Sequence, residues 1–120
     1  MSSAEQNAVT PMDATLKDAI VELSKKGLGI VSVVDGDGRL AGVITDGDLR
    51  RQLEKGANVY NLQVREIMTK TPVTISSGKL AADALKLMKD KNISCMPVVK
   101  GKKVLGTIRL QDIIGAGILG

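Results

Sequence analysis

Apolar residues recur along this chain with two different periods. Helical spacing predicts an amphipathic helix from Ala14 to Gly27. Two short apolar runs follow, Ile30–Val34 and Leu40–Thr45, and the turn DGDG between them predicts a β-hairpin. The polar segment DLRRQLEKG then predicts a helix that ends at Gly56. The apolar positions of the first helix are Leu16, Ala19, Ile20 and Leu23.

The same order of elements returns in the second half of the chain. A helical pattern that starts at Lys79 precedes the run CMPVV, the turn KGKK, the run VLGTI and the segment QDIIGAG. Offsets of 65 or 64 residues align the two halves, pairing Ala19 with Ala84, Val33 with Val98, Gly42 with Gly106, and Asp48 with Asp112. An internal repeat of this kind indicates a unit that must pack against its neighbour to bury its apolar face.

The segment between the repeats predicts the domain boundaries. Residues 64–72, VREIMTKTP, predict a short helical turn and then an extended link into a strand at residues 73–75, with Ser76 or Ser77 capping the next helix. We therefore divide the chain into repeat 1 at residues 1–58, a linker at residues 59–72 and repeat 2 at residues 73–120. Each repeat is predicted to be β-α-β-β-α. Because neither covers its own sheet, we expect one α/β (α+β) domain with pseudo-twofold symmetry.

Missing residue types narrow the possible functions. The 120 residues are 43% hydrophobic, enough for a buried core, but include no histidine, the side chain best suited to acid–base work near neutral pH and a common zinc ligand. We therefore assign no catalytic residue and no metal site. Tyr60 is the only aromatic residue, which argues against stacking on nucleic-acid bases although the pI is 9.3. The net charge is −2 in residues 1–60 and +6 in residues 61–120.

The apolar runs are short, and the N-terminal residues do not have the pattern of a signal peptide. These two features predict a cytoplasmic protein that does not act at a membrane. The only cysteine, Cys95, lies in the apolar segment ISCMPVV and is predicted to be a small buried thiol.

The cluster TDGDLRR, residues 45–51, has two interpretations. In the structural one, Thr45 and Asp48 form a capping box, and Asp46 and Asp48 complement the positive end of the helix dipole. In the functional one, the strand end and the helix N–H groups bind a phosphate with help from the Thr45 hydroxyl. Asp48 would then accept hydrogen bonds from two ribose hydroxyls, and the base would lie against Ile30 and Val31.

Three further motifs do not indicate a ligand site. GAGILG, residues 115–120, spells G-x-G-x-x-G but follows a helix at the end of the chain, so we interpret it as a helix stop and tail. DGDGR, residues 35–39, lacks the ligands of a calcium loop and predicts a hairpin turn. GKKVLG, residues 101–106, lacks the spacing of a phosphate-binding P-loop.

Paired units of this order, with G-h-x-T-x-x-D where the hairpin meets the final helix (h being apolar), resemble a CBS-domain pair. Gly42, Thr45 and Asp48 match that pattern in repeat 1, whereas Arg109 replaces the hydroxyl residue in repeat 2 and either binds phosphate or fills the cleft. The resemblance implies tandem CBS repeats that bind an adenosine-type ligand between them. The candidate ligand-binding residues are Ile30, Val31, Gly42, Thr45, Asp46, Asp48, Met96, Arg109 and Asp112.

A narrower resemblance joins GVITDGDLRR, VREIMTKTPVTI, KLAADALKLM and DIIGAGIL to the C-terminal module of isomerases that make D-arabinose 5-phosphate for the sugar acid of lipopolysaccharide. It implies a regulatory, non-catalytic module with no required cofactor. The implied ligands are AMP, ATP or a CMP-linked sugar acid, and the implied partners are the absent isomerase domain and a second CBS pair in a homodimer.

Two alternatives remain open at this point. The TDGD signature with two arginines also resembles modules attached to sugar-nucleotide transferases. A ligand-free oligomerisation scaffold is also possible, in which an apolar tail covers a protein contact. That tail consists of Ile113, Ile114, Ile118 and Leu119.

Overall fold

The computed structural model describes residues 7–115, with side chains as far as residue 113. It contains two similar halves, each built from a three-stranded sheet and helices. Repeat 1 comprises β1 (Val9–Pro11), α1 (Leu16–Lys26), β2 (Ile30–Val34), β3 (Leu40–Thr45) and α2 (Asp46–Glu54). A short 3₁₀ turn, Val64–Glu66, lies in the linker. Repeat 2 comprises β4 (Ile75–Ser76), α3 (Ala81–Lys91), β5 (Cys95–Lys100), β6 (Lys103–Arg109) and α4 (Leu110–Gly115).

The two sheets have the same topology. Their strand orders are β1-β2-β3 and β4-β5-β6, with the first strand parallel to the central one and the hairpin antiparallel. Val33 pairs with Gly42, and Val98 pairs with Gly106, each beside a register shift at the same place in its hairpin. The predicted repeat and the mixed α/β fold are therefore confirmed.

Each sheet uses its two faces differently. In repeat 1, Val31, Val33 and Ile44 pack with the apolar face of α1 in one buried cluster, and repeat 2 has a matching cluster. Ile30, Val43 and Val99 are equally buried but belong to neither cluster. Because side chains alternate along a strand, these residues lie on the opposite face of their sheets. On that side β2 contacts β5, so the two repeats pack sheet against sheet.

The tips of the two hairpins join the repeats. Arg39 forms an antiparallel bridge with Lys103, the equivalent position of the second hairpin. The Leu40 N–H donates to the Lys102 carbonyl at 2.8 Å, and the Lys103 ammonium donates to the Asp37 carbonyl at 2.5 Å. The repeats are thus hydrogen-bonded at one end of their sheets.

The linker returns along the edge of repeat 1. Val43 and Thr69 exchange backbone hydrogen bonds of 3.1 and 2.9 Å, so residues near Thr69 extend the sheet beyond β3. Gly42 is the residue that permits this approach. A Cβ at Gly42 would lie 2.7 Å from the Thr69 carbonyl oxygen and 2.8 Å from the Met68 side chain.

Two local predictions were wrong. The strand expected at residues 73–75 is Ile75–Ser76, because only Ile75 and Ser76 reach β5, opposite Val98 and Val99. Neither Ser76 nor Ser77 caps α3. The Lys79 N–H bonds to the Ser76 carbonyl in an intervening turn, and Leu80 occupies the cap position, where its N–H donates to the Asp83 carboxylate at 3.2 Å.

The hairpin prediction for DGDGR is confirmed. The Asp35 carboxylate accepts hydrogen bonds from the N–H groups of Asp37 and Arg39 at 2.9 and 3.0 Å. The bond from Arg39 is the main reason that the pKa of Asp35 lies below its ordinary value. The motif GAGILG lies outside the described residues apart from the backbone of Gly115, as do Ile118, Leu119 and the side chain of Ile114. None of the described helices is long and apolar enough to cross a membrane.

Candidate functional site

A cleft of about 500 Å³ lies between the repeats, at the end of the sheets opposite the hairpin tips. Equivalent positions of both repeats line it, so it lies across the approximate twofold axis. Each repeat contributes the end of its first helix, the residues that lead into its central strand, and the corner between its last strand and final helix. The lining residues are Gly27, Leu28, Gly29, Thr45, Asp46, Gly47, Asn92, Ile93, Ser94, Cys95, Arg109 and Gln111.

The corner of repeat 1 is a capping box. Thr45 has extended backbone angles, and its hydroxyl accepts the Asp48 N–H at 3.2 Å. In return, one oxygen of the Asp48 carboxylate accepts the Thr45 N–H at 2.9 Å. The other oxygen pairs with the Arg51 guanidinium. Both oxygens of Asp48 therefore have partners within repeat 1, and this residue does not belong to the cleft lining.

Asp46 is the carboxylate of the TDGD cluster that lines the cleft. Its N–H donates to the Gly29 carbonyl at 3.2 Å, which fixes the start of α2 beside the start of β2. One carboxylate oxygen lies 3.6 Å from where a Cβ on Gly29 would stand. Among the described residues, the Asp46 carboxylate has no hydrogen-bond or ion-pair partner. It is therefore free to accept hydrogen bonds from a ligand.

The corner of repeat 2 is built around an ion pair. Arg109 donates from Nε and Nη2 to the two oxygens of Asp112 at 3.2 and 2.9 Å. Its backbone N–H also bonds to Asp112 at 3.2 Å, as in a helix cap. The two side chains are only 22% and 26% exposed, and the hydrogen bond with Asp112 raises the pKa of the guanidinium above its ordinary value.

Arg109 also crosses to the other repeat. Its Nη1 donates to the Gly27 carbonyl oxygen at 3.3 Å, at the residue that closes α1 in the left-handed conformation. Asn92, the equivalent residue that closes α3, has the same conformation and lies in the same cleft. The cleft wall is therefore held together by a side chain of repeat 2 and a backbone oxygen of repeat 1.

Cys95 is half-buried and lines the cleft, so it is more exposed than the small buried thiol that the sequence predicted. It begins β5 and lies next to Arg109 in the hairpin register, on the same face of the sheet. Burial raises the pKa of the thiol, and the negative charge of Asp46 raises it further. The charge of Asp46 in repeat 1 thus raises the pKa of a side chain in repeat 2.

The structure brings together some of the candidate site residues and separates others. Thr45, Asp46 and Arg109 line one cleft. Asp48 and Asp112 lie outside the lining and accept hydrogen bonds from Thr45 and Arg109, respectively. Ile30 pairs with Thr45 in the sheet and shares its face, the face that looks toward repeat 2. Ligand contact by these residues stays a prediction.

The other candidates have structural surroundings away from the cleft lining. Val31 and Met96 are fully buried in the cores of repeats 1 and 2, and Gly42 lies against the linker. Sequence reasoning missed the helix ends that line the cleft, residues 27–29 and 92–94. The signal that marks them is the left-handed residue, Gly27 or Asn92, that stops each first helix just before a central strand.

Comparison with known proteins decides the family. The model of the CBS domain family matches residues 5–55 and again residues 64–118. The chain is a pair of CBS domains. The CBS pair is 35% identical over 118 residues to the arabinose 5-phosphate isomerase KdsD of Yersinia pestis, covering 98% of this chain and 36% of that enzyme. It is 38% identical over 109 residues to KdsD of Pseudomonas aeruginosa, covering 90% and 33%. The chain thus spans about a third of the length of these relatives.

Solved structures have the same fold. A CBS-domain protein of Burkholderia ambifaria superposes with a TM-score of 0.82 at 28% identity, covering 98% of this chain and 86% of that one. A CBS domain protein of Pyrobaculum aerophilum, solved in complex with AMP, superposes with a TM-score of 0.81 at 19% identity, covering 92% and 89%. The predicted CBS-pair architecture is therefore confirmed.

Proposed function

We propose that this CBS pair is a regulatory module that binds a nucleotide-type metabolite in the cleft between its repeats. It passes the occupancy of that cleft to an isomerase that interconverts D-ribulose 5-phosphate and D-arabinose 5-phosphate. The observation that carries this proposal is the shared cleft, to which each repeat contributes the corner between its last strand and final helix. The module itself performs no chemistry, and we assign it no catalytic residue and no required cofactor.

The lining supplies the groups that a nucleotide needs. The phosphate of the nucleotide can accept hydrogen bonds from the Arg109 guanidinium, the Thr45 hydroxyl and the Gly47 N–H. Gly47 belongs to the first turn of α2, where N–H groups have no partner within the helix. The sugar hydroxyls can donate hydrogen bonds to the Asp46 carboxylate. Ile93, a partly buried apolar residue of the lining, offers a contact for the base. The predicted contact Ile30 lies on the same face as Thr45 but is buried and outside the lining. A volume of about 500 Å³ is within the usual range for small-molecule sites.

Two comparisons support the choice of ligand and parent enzyme. A protein with this fold has been solved with AMP, which favours an adenine nucleotide. The similarity to KdsD favours a sugar-phosphate isomerase as parent and makes the CMP-linked sugar acid at the end of its pathway a second candidate ligand. We expect a cytoplasmic location and a homodimer of CBS pairs.

The deciding experiment measures thermal unfolding with AMP, ATP or a CMP-linked sugar acid. A ligand present at 100 times its dissociation constant adds about 2.7 kcal/mol to the stability of the folded state, so the melting temperature should rise. Arg109→Gln should reduce this rise, whereas the matched change Arg50→Gln, on an exposed residue of α2 outside the cleft lining, should leave it unchanged.

The alternative is a ligand-free oligomerisation scaffold. It predicts no rise in melting temperature with any of the three compounds and an equal response of both arginine variants. Sedimentation velocity would then show an assembly that is insensitive to nucleotide. Attachment to a sugar-nucleotide transferase instead of an isomerase would leave the binding result unchanged, and it is tested by measuring isomerase activity of the full-length protein.

A further inference from the structure

We infer that the cleft selects a nucleotide with a single phosphate group and discriminates against polyphosphates, and that Asp46 sets this limit. The inference rests on the proposed function, because it specifies which nucleotide the cleft between the repeats accepts. It follows from the charges around the cleft and from the bonds that Arg109 already makes.

The cleft carries little positive charge. Among the described residues that line it, the charged side chains are Asp46 and Arg109. Arg109 is already paired with both oxygens of Asp112, the closer at 2.9 Å. These three groups together carry a net charge of −1. Although the second half of the chain is basic, its lysines are not among the residues of the cleft lining.

Arg109 has donors left for one phosphate group. A guanidinium has five N–H donors. The bonds to Asp112 and to the Gly27 carbonyl use one donor each from Nε, Nη1 and Nη2, so one N–H remains on each terminal nitrogen. These two N–H groups can bind one phosphate, but they cannot also neutralise a second or third phosphate.

Asp46 opposes the additional phosphates. Each further phosphate group brings about one more negative charge near neutral pH. The Asp46 carboxylate is exposed and has no cationic partner among the described residues. Its negative charge reaches across the cleft, where it raises the pKa of Cys95. A β- or γ-phosphate that leaves Arg109 has no other cation among the described lining residues and remains within the field of this carboxylate. The Arg51 guanidinium lies just outside the lining, with Nη1 3.4 Å from where a Cβ on Gly47 would stand, but its charge is already paired with Asp48.

The experiment is isothermal titration calorimetry of the CBS pair with AMP, ADP and ATP at low ionic strength in EDTA, so that no divalent cation masks the charges. For the wild type we expect AMP to bind at least about tenfold more tightly than ATP, with ADP between them. Asp46→Asn should reduce the ratio of the ATP and AMP dissociation constants by about threefold or more. Added salt should reduce the ratio in the wild type as well.

Asp13→Asn is the matched control. Asp13 is an exposed aspartate that follows β1, beside the Val34 end of β2 and therefore at the end of the sheets opposite the cleft. Asp13→Asn changes the net charge of the protein by the same amount as Asp46→Asn does. The ratio of the ATP and AMP dissociation constants of Asp13→Asn should nevertheless stay within about twofold of the wild-type value. Equal binding of AMP and ATP by the wild type would overturn the inference, as would equal effects of the two variants. If no nucleotide binds the wild type, the proposed function fails first, and the two failures are therefore distinguishable.

Discussion

The Thr45 hydroxyl accepts the Asp48 N–H at 3.2 Å, while the Asp48 carboxylate accepts the Thr45 N–H at 2.9 Å. The same reciprocal pair occurs at the start of α1, where Thr15 and Asp18 are joined by bonds of 3.3 and 3.0 Å. One corner lines the cleft and the other does not. The chain therefore contains an internal control for separating a capping role from a ligand-binding role.

We expect Thr15→Ala and Thr45→Ala to lower the free energy of unfolding by similar amounts, about 1 kcal/mol each, because each removes the side-chain acceptor of a helix cap. Only Thr45→Ala should also weaken nucleotide binding, since only Thr45 lines the cleft. Urea unfolding measures the first effect, and calorimetric titration with AMP measures the second. Equal nucleotide affinity in the two variants would assign Thr45 a purely structural role.

Much of the architecture follows from the sequence, because the helix and hairpin patterns depend on local spacing. Apolar residues three and four positions apart predicted α1, and runs around polar turns predicted both hairpins. The starts of β4 and α3 were less predictable. Both depend on how far the chain can follow β5 before a turn is needed, which is a tertiary contact.

The candidate site was predicted in outline but not in its details. Residues 46 and 48 are about 200° apart around a helix, so a single direction of approach reaches only one of their side chains. The box with Thr45 uses Asp48 and leaves Asp46 to the cleft. Side chains alternate along β2, so Ile30 and Val31 lie on opposite faces of the sheet, and Val31 lies in the core. Gly27 reaches the cleft only because the fold brings it next to Arg109, 82 positions away in the sequence.

The contact between Gly42 and the linker gives a second prediction. Gly42→Ala would place a methyl group 2.7 Å from the Thr69 carbonyl oxygen, which belongs to backbone and cannot rotate away. We expect a loss of about 1–3 kcal/mol in the free energy of unfolding. Gly36→Ala is the control, because a Cβ at this turn position would have no heavy atom within 4 Å. Similar urea midpoints for the two variants would show that the linker does not press on β3.

Two buried hydroxyls give a third prediction. Ser32 and Thr107 lie on the faces where the sheets meet, are 0% and 1% exposed, and their side-chain oxygens have no hydrogen-bond partner among the described residues. Thr107→Val keeps the shape and removes the unpaired hydroxyl, so it should raise the free energy of unfolding by about 1 kcal/mol. Ser32→Ala should be neutral or slightly stabilising. Destabilisation by Thr107→Val in urea unfolding would indicate an ordered water between the sheets that the hydroxyl holds.

Cys95 gives a fourth prediction, in which the reactivity of one thiol reports on the charge of the cleft. Burial and the Asp46 carboxylate both raise the pKa of Cys95, so the reactive thiolate is scarcer at a given pH than in an unstructured peptide. The reaction with a disulfide reagent at pH 8 should therefore be slower than for a free cysteine, and its rate should rise as the pH increases toward the raised pKa. Asp46→Asn should lower the pKa of the thiol and speed the reaction, whereas Asp13→Asn should not.

Nucleotide should slow the same reaction, because a ligand in the cleft covers Cys95. Comparing AMP with ATP at equal concentration then repeats the test of selectivity with an independent readout. AMP should protect the thiol more than ATP does in the wild type, and Asp46→Asn should narrow this difference. Equal protection by both nucleotides in the wild type would contradict the selectivity for a single phosphate group, whereas protection by neither nucleotide in either protein would contradict the proposed nucleotide site itself.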